Sequence, residues 1–258
     1  AYSVVSAARW SASGGPPPGE RTEGTSPALV EALARLCRPT DRILEVGCGR
    51  GYTLLRLAPR VREAVGIDVS EPSLDEVRAL ARNRQLTNLA VHNARADDLV
   101  GQFGHNAFDK VFCVDVYEHL HPEDGEAHLA QALEVLRPGG MYVLVAPNRH
   151  TGPSDITRQE FPHVRQALGF HLNEPTLAEI VGLMRSIGFR PIRSFAWFNY
   201  RSTAWLRFVW PYRTLVYPLA WSLALERLLA GRAWIRENRL LIKLLLVSLI
   251  AGKPQRVF

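Results

Sequence analysis

Ile43-Leu44-Glu45-Val46-Gly47-Cys48-Gly49-Arg50-Gly51 decides the fold. The apolar residues Ile43, Leu44 and Val46 read as a buried strand, which three alternate glycines end. Leu54, Leu55, Leu57 and Ala58 then open a helical pattern. Strand, glycine turn, helix is how doubly wound α/β folds hold a nucleotide at the carboxyl edge of a parallel sheet. Glycine suits such a turn because it accepts positive φ and lets a ligand approach the backbone. The next apolar run, Ala64-Val65-Gly66-Ile67, ends in Asp68, about 20 residues beyond the loop, where these folds hold a ribose diol.

The spacing is E-x-G-x-G-x-G, which differs from the G-x-G-x-x-G of dinucleotide enzymes, and no P-loop lysine follows. The stretch resembles the first motif of the class I S-adenosylmethionine (SAM)-dependent methyltransferases, and the Asp68 strand resembles their second. Asn93-Ala94-Arg95-Ala96-Asp97-Asp98-Leu99 resembles the loop that closes on adenine, with Arg95 where an acid is usual. Phe108–Val111 through Asp115-Val116-Tyr117-Glu118-His119-Leu120 resembles the segment that meets the methionine part of SAM. Leu136-Arg137-Pro138-Gly139-Gly140 and His171-Leu172-Asn173-Glu174 match later segments of the ubiquinone-pathway O-methyltransferase-like branch. The resemblance covers about residues 27–195. It implies SAM as cofactor, held by Glu45, Gly47, Cys48, Gly49, Gly51, Asp68, Val69, Ala96, Asp97 and Asp115.

Alternating strand and helix signals imply an α/β, doubly wound, mainly parallel seven-stranded sheet covered on both faces. Strands are expected at 43–47, 64–68, 90–92, 109–114, 141–145 and 190–195, with a final one near 244–250. Helices are expected over 52–59, 71–84, 126–136 and 175–187, with Pro138-Gly139-Gly140 as a stop. Residues 1–25, rich in Ser, Gly, Pro and Arg, read as a flexible arm before a SAM-binding domain at 26–198. At 199–238, four tryptophans lie among arginines and leucines, with a helix expected at Leu219–Leu229. This reads as a helical insertion, either a lid over the acceptor pocket or a face on a membrane surface. The final strand and tail fill 239–258.

The chain of 258 residues carries a net charge of +6, too small and too dispersed to argue for nucleic acid. Cys37, Cys48 and Cys113 form no CxxC pair and suit a reducing, cytoplasmic setting, with 199–238 as a peripheral membrane contact in the second reading. No signal-peptide pattern opens the chain, and no apolar run spans a bilayer.

His119 and Glu118 follow a strand end directly and are the candidates for chemistry, His119 as base toward the acceptor. Asp115, Glu118 and His119 have the spacing D-x-x-E-H, which shares one face if the turn is helical. With His171 or His150 they would form a divalent site for Mg²⁺, resembling the E-x-x-E-H of ubiquinone-pathway and small-RNA 2′-O-methyltransferases. The bland alternative leaves Glu118 pairing locally and His119 lining the pocket. His105, His121, His128 and His163 read as surface or loop residues, and Tyr52 as a core or cofactor-packing residue. The function expected is methyl transfer to a small or lipid-linked acceptor, most simply on oxygen. RNA methylation and a non-catalytic SAM-fold binder are its rivals.

Overall fold

The computed structural model describes residues 26–197, 214–230, 232 and 247–255. The expected arm and much of 199–238 lie outside the described residues. The parallel sheet forms from β1 (Arg42–Val46), β2 (Glu63–Asp68), β3 (Leu89–Asn93), β4 (Phe108–Val114) and β5 (Leu136–Ala146). To these are added β6 (Ile192–Trp197), β7 (Thr214–Pro218) and β8 (Val247–Gly252). The order is β3-β2-β1-β4-β5-β8-β6-β7, with β8 antiparallel to both β5 and β6.

Two-residue periodicity explains the layering. Along β4, Val111 and Cys113 face one core while Phe112 and Val114 face the other, and β1 divides Leu44 and Val46 from Ile43 in the same way. Each fully buried Val or Leu stabilises the fold by about 1.5–3 kcal/mol. One face is covered by α1 (Pro27–Leu36), α2 (Leu54–Leu57) and α3 (Glu71–Asn83). The other is covered by α4 (Leu99–Phe103), α5 (Pro122–Val135), α7 (Leu177–Ile187) and α8 (Leu219–Leu229). A short α6 (Thr157–Glu160) lies in the connection before α7.

Four expectations need correction. Among the described residues the sheet has eight strands, because Thr214-Leu215-Val216-Tyr217, a β-favouring run ended by Pro218, pairs antiparallel with β6. The 199–238 stretch is therefore not wholly helical, although its helix falls at Leu219–Leu229 as expected. The helix expected from 126 begins at Pro122, where Pro fits the first turn and Glu123 and Asp124 favour the N-terminus. The strand expected from 141 begins at Leu136: Leu136 pairs with Phe108, and a register shift between Phe108 and Lys110 absorbs the proline–glycine turn. The final strand, expected near 244–250, forms at Val247–Gly252 and lies between β5 and β6.

The join between α7 and α8 is polar and buried. Thr176 and Glu179 form a reciprocal capping box at the start of α7. Glu226 of α8 accepts the next two N–H groups, from Leu177 at 2.7 Å and Ala178 at 3.0 Å. Its Oε1 also accepts from the Asn148 amide at 2.7 Å, which ties α8 to the loop after β5. Among the described residues, no helix is long and apolar enough to cross a membrane.

Candidate active site

The glycine loop between β1 and α2 makes the first wall. Gly47, Gly49 and Gly51 all have positive φ, at +66°, +50° and +72°. A Cβ on Gly47 would strike Val116, and one on Gly51 would meet Val77, so protein atoms exclude side chains there. A Cβ on Gly49 would meet nothing within 4 Å, so this glycine opens onto the crevice. Cys48 is buried and burial pushes its thiol well above the usual cysteine value, so it packs and does not attack.

Asp68, at the end of β2, binds the loop from across the sheet edge. Its Oδ2 accepts from the Gly49 N–H at 2.8 Å and its Oδ1 from the Ser70 N–H at 2.8 Å. Each carboxylate oxygen keeps a lone pair that can meet a diol. Val69 beside it is 63% exposed, an apolar platform at the crevice rim. Glu45 is buried beneath the loop, with Oε2 lacking a partner and the carboxyl pushed up to about 8 by burial. A buried acid with one unpartnered oxygen beneath an open backbone cradle, a double-accepting carboxylate and an exposed apolar edge fit a ligand with an ammonium group, a sugar diol and a flat base.

Across the crevice, Ala96 and Asp97 occupy the loop after β3. The Arg95 guanidinium grips both Asp97 oxygens, Nε to Oδ1 at 2.8 Å and Nη2 to Oδ2 at 2.7 Å. This pairing holds the Asp97 carboxyl below its usual value and competes with the expected contact to adenine. The arginine that departed from the family pattern thus has a structural partner.

The strand end of β4 supplies the third wall. Asp115 adopts φ +53°, a left-handed conformation that Asp tolerates better than most residues. Solvent reaches Asp115 along the crevice, yet protein surrounds it and raises its carboxyl, while His171 opposes the shift. A 3₁₀ turn then carries Tyr117–His119. Glu118 is 2% exposed, with Oε2 unpartnered. Burial, and then the Asp115 charge, push its carboxyl up to about 8. The His119 Nδ1 lies 3.1 Å from the Phe170 carbonyl, which only accepts, so the proton sits on Nδ1 and the lone pair on Nε2. Burial lowers the His119 pKa, with the Phe170 carbonyl opposing.

His171 packs edge-on against His119, with ring centroids 4.9 Å apart. Its Nδ1 faces Glu174 Oε1 at 2.6 Å, and Glu174 Oε1 also accepts from Ser154 N–H at 2.7 Å. Asp155, which sequence reasoning missed, shapes this loop by accepting from the N–H groups of Gly169 at 3.0 Å and Phe170 at 2.8 Å. Ligand atoms of Glu118, His119 and His171 lie within 4.8 Å of one another. Asp115 is not part of that cluster, which corrects the one-face reading of D-x-x-E-H. Its left-handed φ breaks the chain direction before the turn, so helical spacing does not apply. His150 stays outside too, with its N–H donating to Asn148 Oδ1. Two imidazoles and one carboxylate suit a borderline transition ion better than Mg²⁺, which prefers oxygen donors, so the expected Mg²⁺ site does not fit these residues.

His128 contradicts its expected surface position, being fully buried in α5. The stripe Gly125, His128, Leu129, Ala132 and Val135 is buried at helical spacing, and that periodicity is the signal that could have found it. Tyr52 carries the Arg56 guanidinium over its ring at 3.9 Å, and is only half-buried.

Glu118 leads to a pH prediction. An acid whose folded pKa is raised binds more protons folded than unfolded, so its stability contribution falls between about pH 4.5 and pH 8. Glu118→Gln should therefore raise the melting temperature little at pH 5 and by several degrees, for about 1–2 kcal/mol, at pH 8. Thermal melts across that range test it, and an equal shift at both ends would show that Glu118 does not titrate as described.

The fold recurs among known proteins. A methyltransferase domain model matches residues 43–140. An uncharacterized methyltransferase of Bacillus subtilis, YcgJ, is 28% identical over 159 residues, 61% of this chain and 60% of that protein. Its crystal structure superposes with a TM-score of 0.56 at 17% identity, covering 88% of this chain and 98% of that one. The ubiquinone biosynthesis O-methyltransferase of Neisseria meningitidis is 30% identical over 122 residues, 47% of this chain and 49% of that protein. The [4+2]-cyclase SpnF shares the fold, with a TM-score of 0.58 at 20% identity over 88% of this chain and 81% of that one. The chain thus spans 60% or less of the length of these two curated relatives.

Proposed function

We propose that the chain is a class I SAM-dependent methyltransferase that methylates an oxygen of a small or lipid-linked acceptor. The observation that carries this reading is His119, seated at the strand end beside Glu118 with its Nδ1 proton committed to the Phe170 carbonyl, the tautomer in which Nε2 is the basic nitrogen. Gly49, Asp68 and Val69 would hold the nucleoside, Ala96 and Asp97 would border its base, and Glu45 and Asp115 would lie toward the amino-acid end. SAM, when bound, supplies a methyl group already activated by its sulfonium. The chain's own task is then to exclude water, align the acceptor and remove its proton. Glu118, neutral up to about pH 8, offers an O–H donor to the acceptor. Relatives include a ubiquinone biosynthesis O-methyltransferase, which supports an oxygen acceptor.

Isothermal titration with SAM, followed by methyl-release assays on phenolic, carboxylic and polyprenyl-linked acceptors, tests the proposal. Tight SAM binding with no transfer to any acceptor would favour a binder or another chemistry on the same fold, as SpnF illustrates. Mg²⁺ should neither raise the melting temperature nor restore activity after exhaustive chelation. A Mg²⁺ requirement abolished in Glu118→Ala would overturn that expectation.

The lipid-linked form of the proposal is supported by exposed apolar side chains. Trp221 is 67% and Leu228 64% exposed, seven residues apart on one side of α8, with Arg227 and Arg232 exposed nearby. Phe161, Leu168 and Leu172 are likewise exposed around the His171 loop. The protein should sediment with anionic vesicles at low salt and be released as salt rises. Failure to pellet would leave a soluble small-molecule acceptor as the reading.

A further inference from the structure

The search for further function leads to one face of α5. Asp124, His128 and Gln131 stand at i, i+4 and i+7, and each touches the segment after β3. Asp124 lies 3.9 Å from Arg95, the His128 Nδ1 lies 3.0 Å from the Ala96 carbonyl, and the Gln131 Oε1 accepts from the Val100 N–H at 2.8 Å. His128 is the buried member of the three. Its tautomer is fixed: a carbonyl only accepts, so Nδ1 carries the proton. The Nε2 then accepts from the Tyr142 hydroxyl at 2.8 Å. A fully buried imidazole with both nitrogens satisfied is a rigid strut between β5 and a loop that is otherwise exposed or half-buried.

We propose that His128 is a positioning residue for cofactor recognition, setting through the Ala96 carbonyl the direction in which the Asp97 N–H and the Asp97 side chain meet the base. A peptide unit held at its carbonyl oxygen has its next N–H aimed by the same bond, since the unit is planar. α5 also follows directly after the Tyr117–His119 turn, so one helix sets both the acceptor-side turn and the base-side loop. The inference rests on the reading that the crevice binds SAM.

Two substitutions separate the two ends of the imidazole. In His128→Asn the amide nitrogen falls near the position of Nδ1 and can still donate to Ala96, while the Tyr142 contact is lost. In His128→Gln the amide reaches Tyr142 and the Ala96 contact is lost. Calorimetric titration of the full chain with S-adenosylhomocysteine should give about tenfold weaker binding for His128→Gln and less than about threefold for His128→Asn, since a hydrogen bond contributes modestly to binding. Tyr142→Phe should lower the melting temperature and leave affinity unchanged, whereas a merely structural histidine would leave affinity unchanged in His128→Gln as well. Wild-type affinity in His128→Gln would overturn the proposal, as would equal losses in the Gln, Asn and Tyr142→Phe variants. If the wild-type protein binds no S-adenosylhomocysteine, the functional reading fails first, and that result is distinguishable from either outcome.

Discussion

Replacing His119 with Ala should lower kcat by about 10²–10⁴-fold, the usual contribution of a placed base, while SAM affinity changes little. Both halves of that expectation come from position. His119 stands on the turn after β4, between the Phe170 carbonyl and the His171 ring. It is separated in sequence from the glycine loop and Asp68. Burial keeps its pKa below the usual histidine value, so the imidazole is neutral and basic at physiological pH. The acid limb of the kcat/KM profile should accordingly lie below pH 6.5 and be altered in the variant. Single-turnover methyl transfer with SAM titrated separately measures both quantities. Parallel loss of kcat and SAM affinity would reassign His119 to a structural role.

Asp68→Ala should weaken SAM binding by about 10²-fold or more, because a diol would lose two charge-assisted hydrogen bonds, each contributing about 1.5–3 kcal/mol. The structure adds a second reason. The same carboxylate accepts from Gly49 N–H and Ser70 N–H, so the substitution also releases the turn that faces the ligand. Asp68→Asn sharpens the test: it keeps one acceptor oxygen and removes the charge, so its loss should fall between wild type and Ala. Calorimetry with SAM measures it. Unchanged affinity in Asp68→Ala would remove Asp68 from the site.

The β1–loop–β2 unit was legible because its constraints are local: an apolar run, glycines at forced positive φ, and an acid at a fixed distance. Glu118 and His119 were legible for the same reason, lying next to a strand end. The buried polar residues were harder. His128 and Glu226 look like surface residues in isolation, and only the helical period of their buried neighbours places them inside; for Glu226 these are Leu219, Ser222 and Leu229. Asp155 was not legible at all, since it acts on backbone N–H groups more than ten residues away that carry no side-chain signature. β7 escaped notice because its five residues lie in a stretch dominated by tryptophan and arginine. The D-x-x-E-H spacing misled because one left-handed residue, Asp115, cancels helical periodicity without marking the sequence.

The placement of β8 bears on how the chain is made. β5 ends at Ala146, and the strand that pairs with its outer side begins about 100 residues later, at Val247. Everything from β1 to β5 can assemble while the rest is still being synthesised, but its last strand then presents an open, apolar edge. At roughly 5–20 residues per second, that edge stands unpaired for on the order of 5–20 s on each ribosome. β6 leaves the ribosome in that interval and cannot join directly, since β8 must come between them. An exposed edge of this kind recruits other strands. The nascent chain should therefore depend on chaperone cover in the window between β5 and β8, and crowded overexpression should fail there first, through edge-to-edge association of half-built sheets.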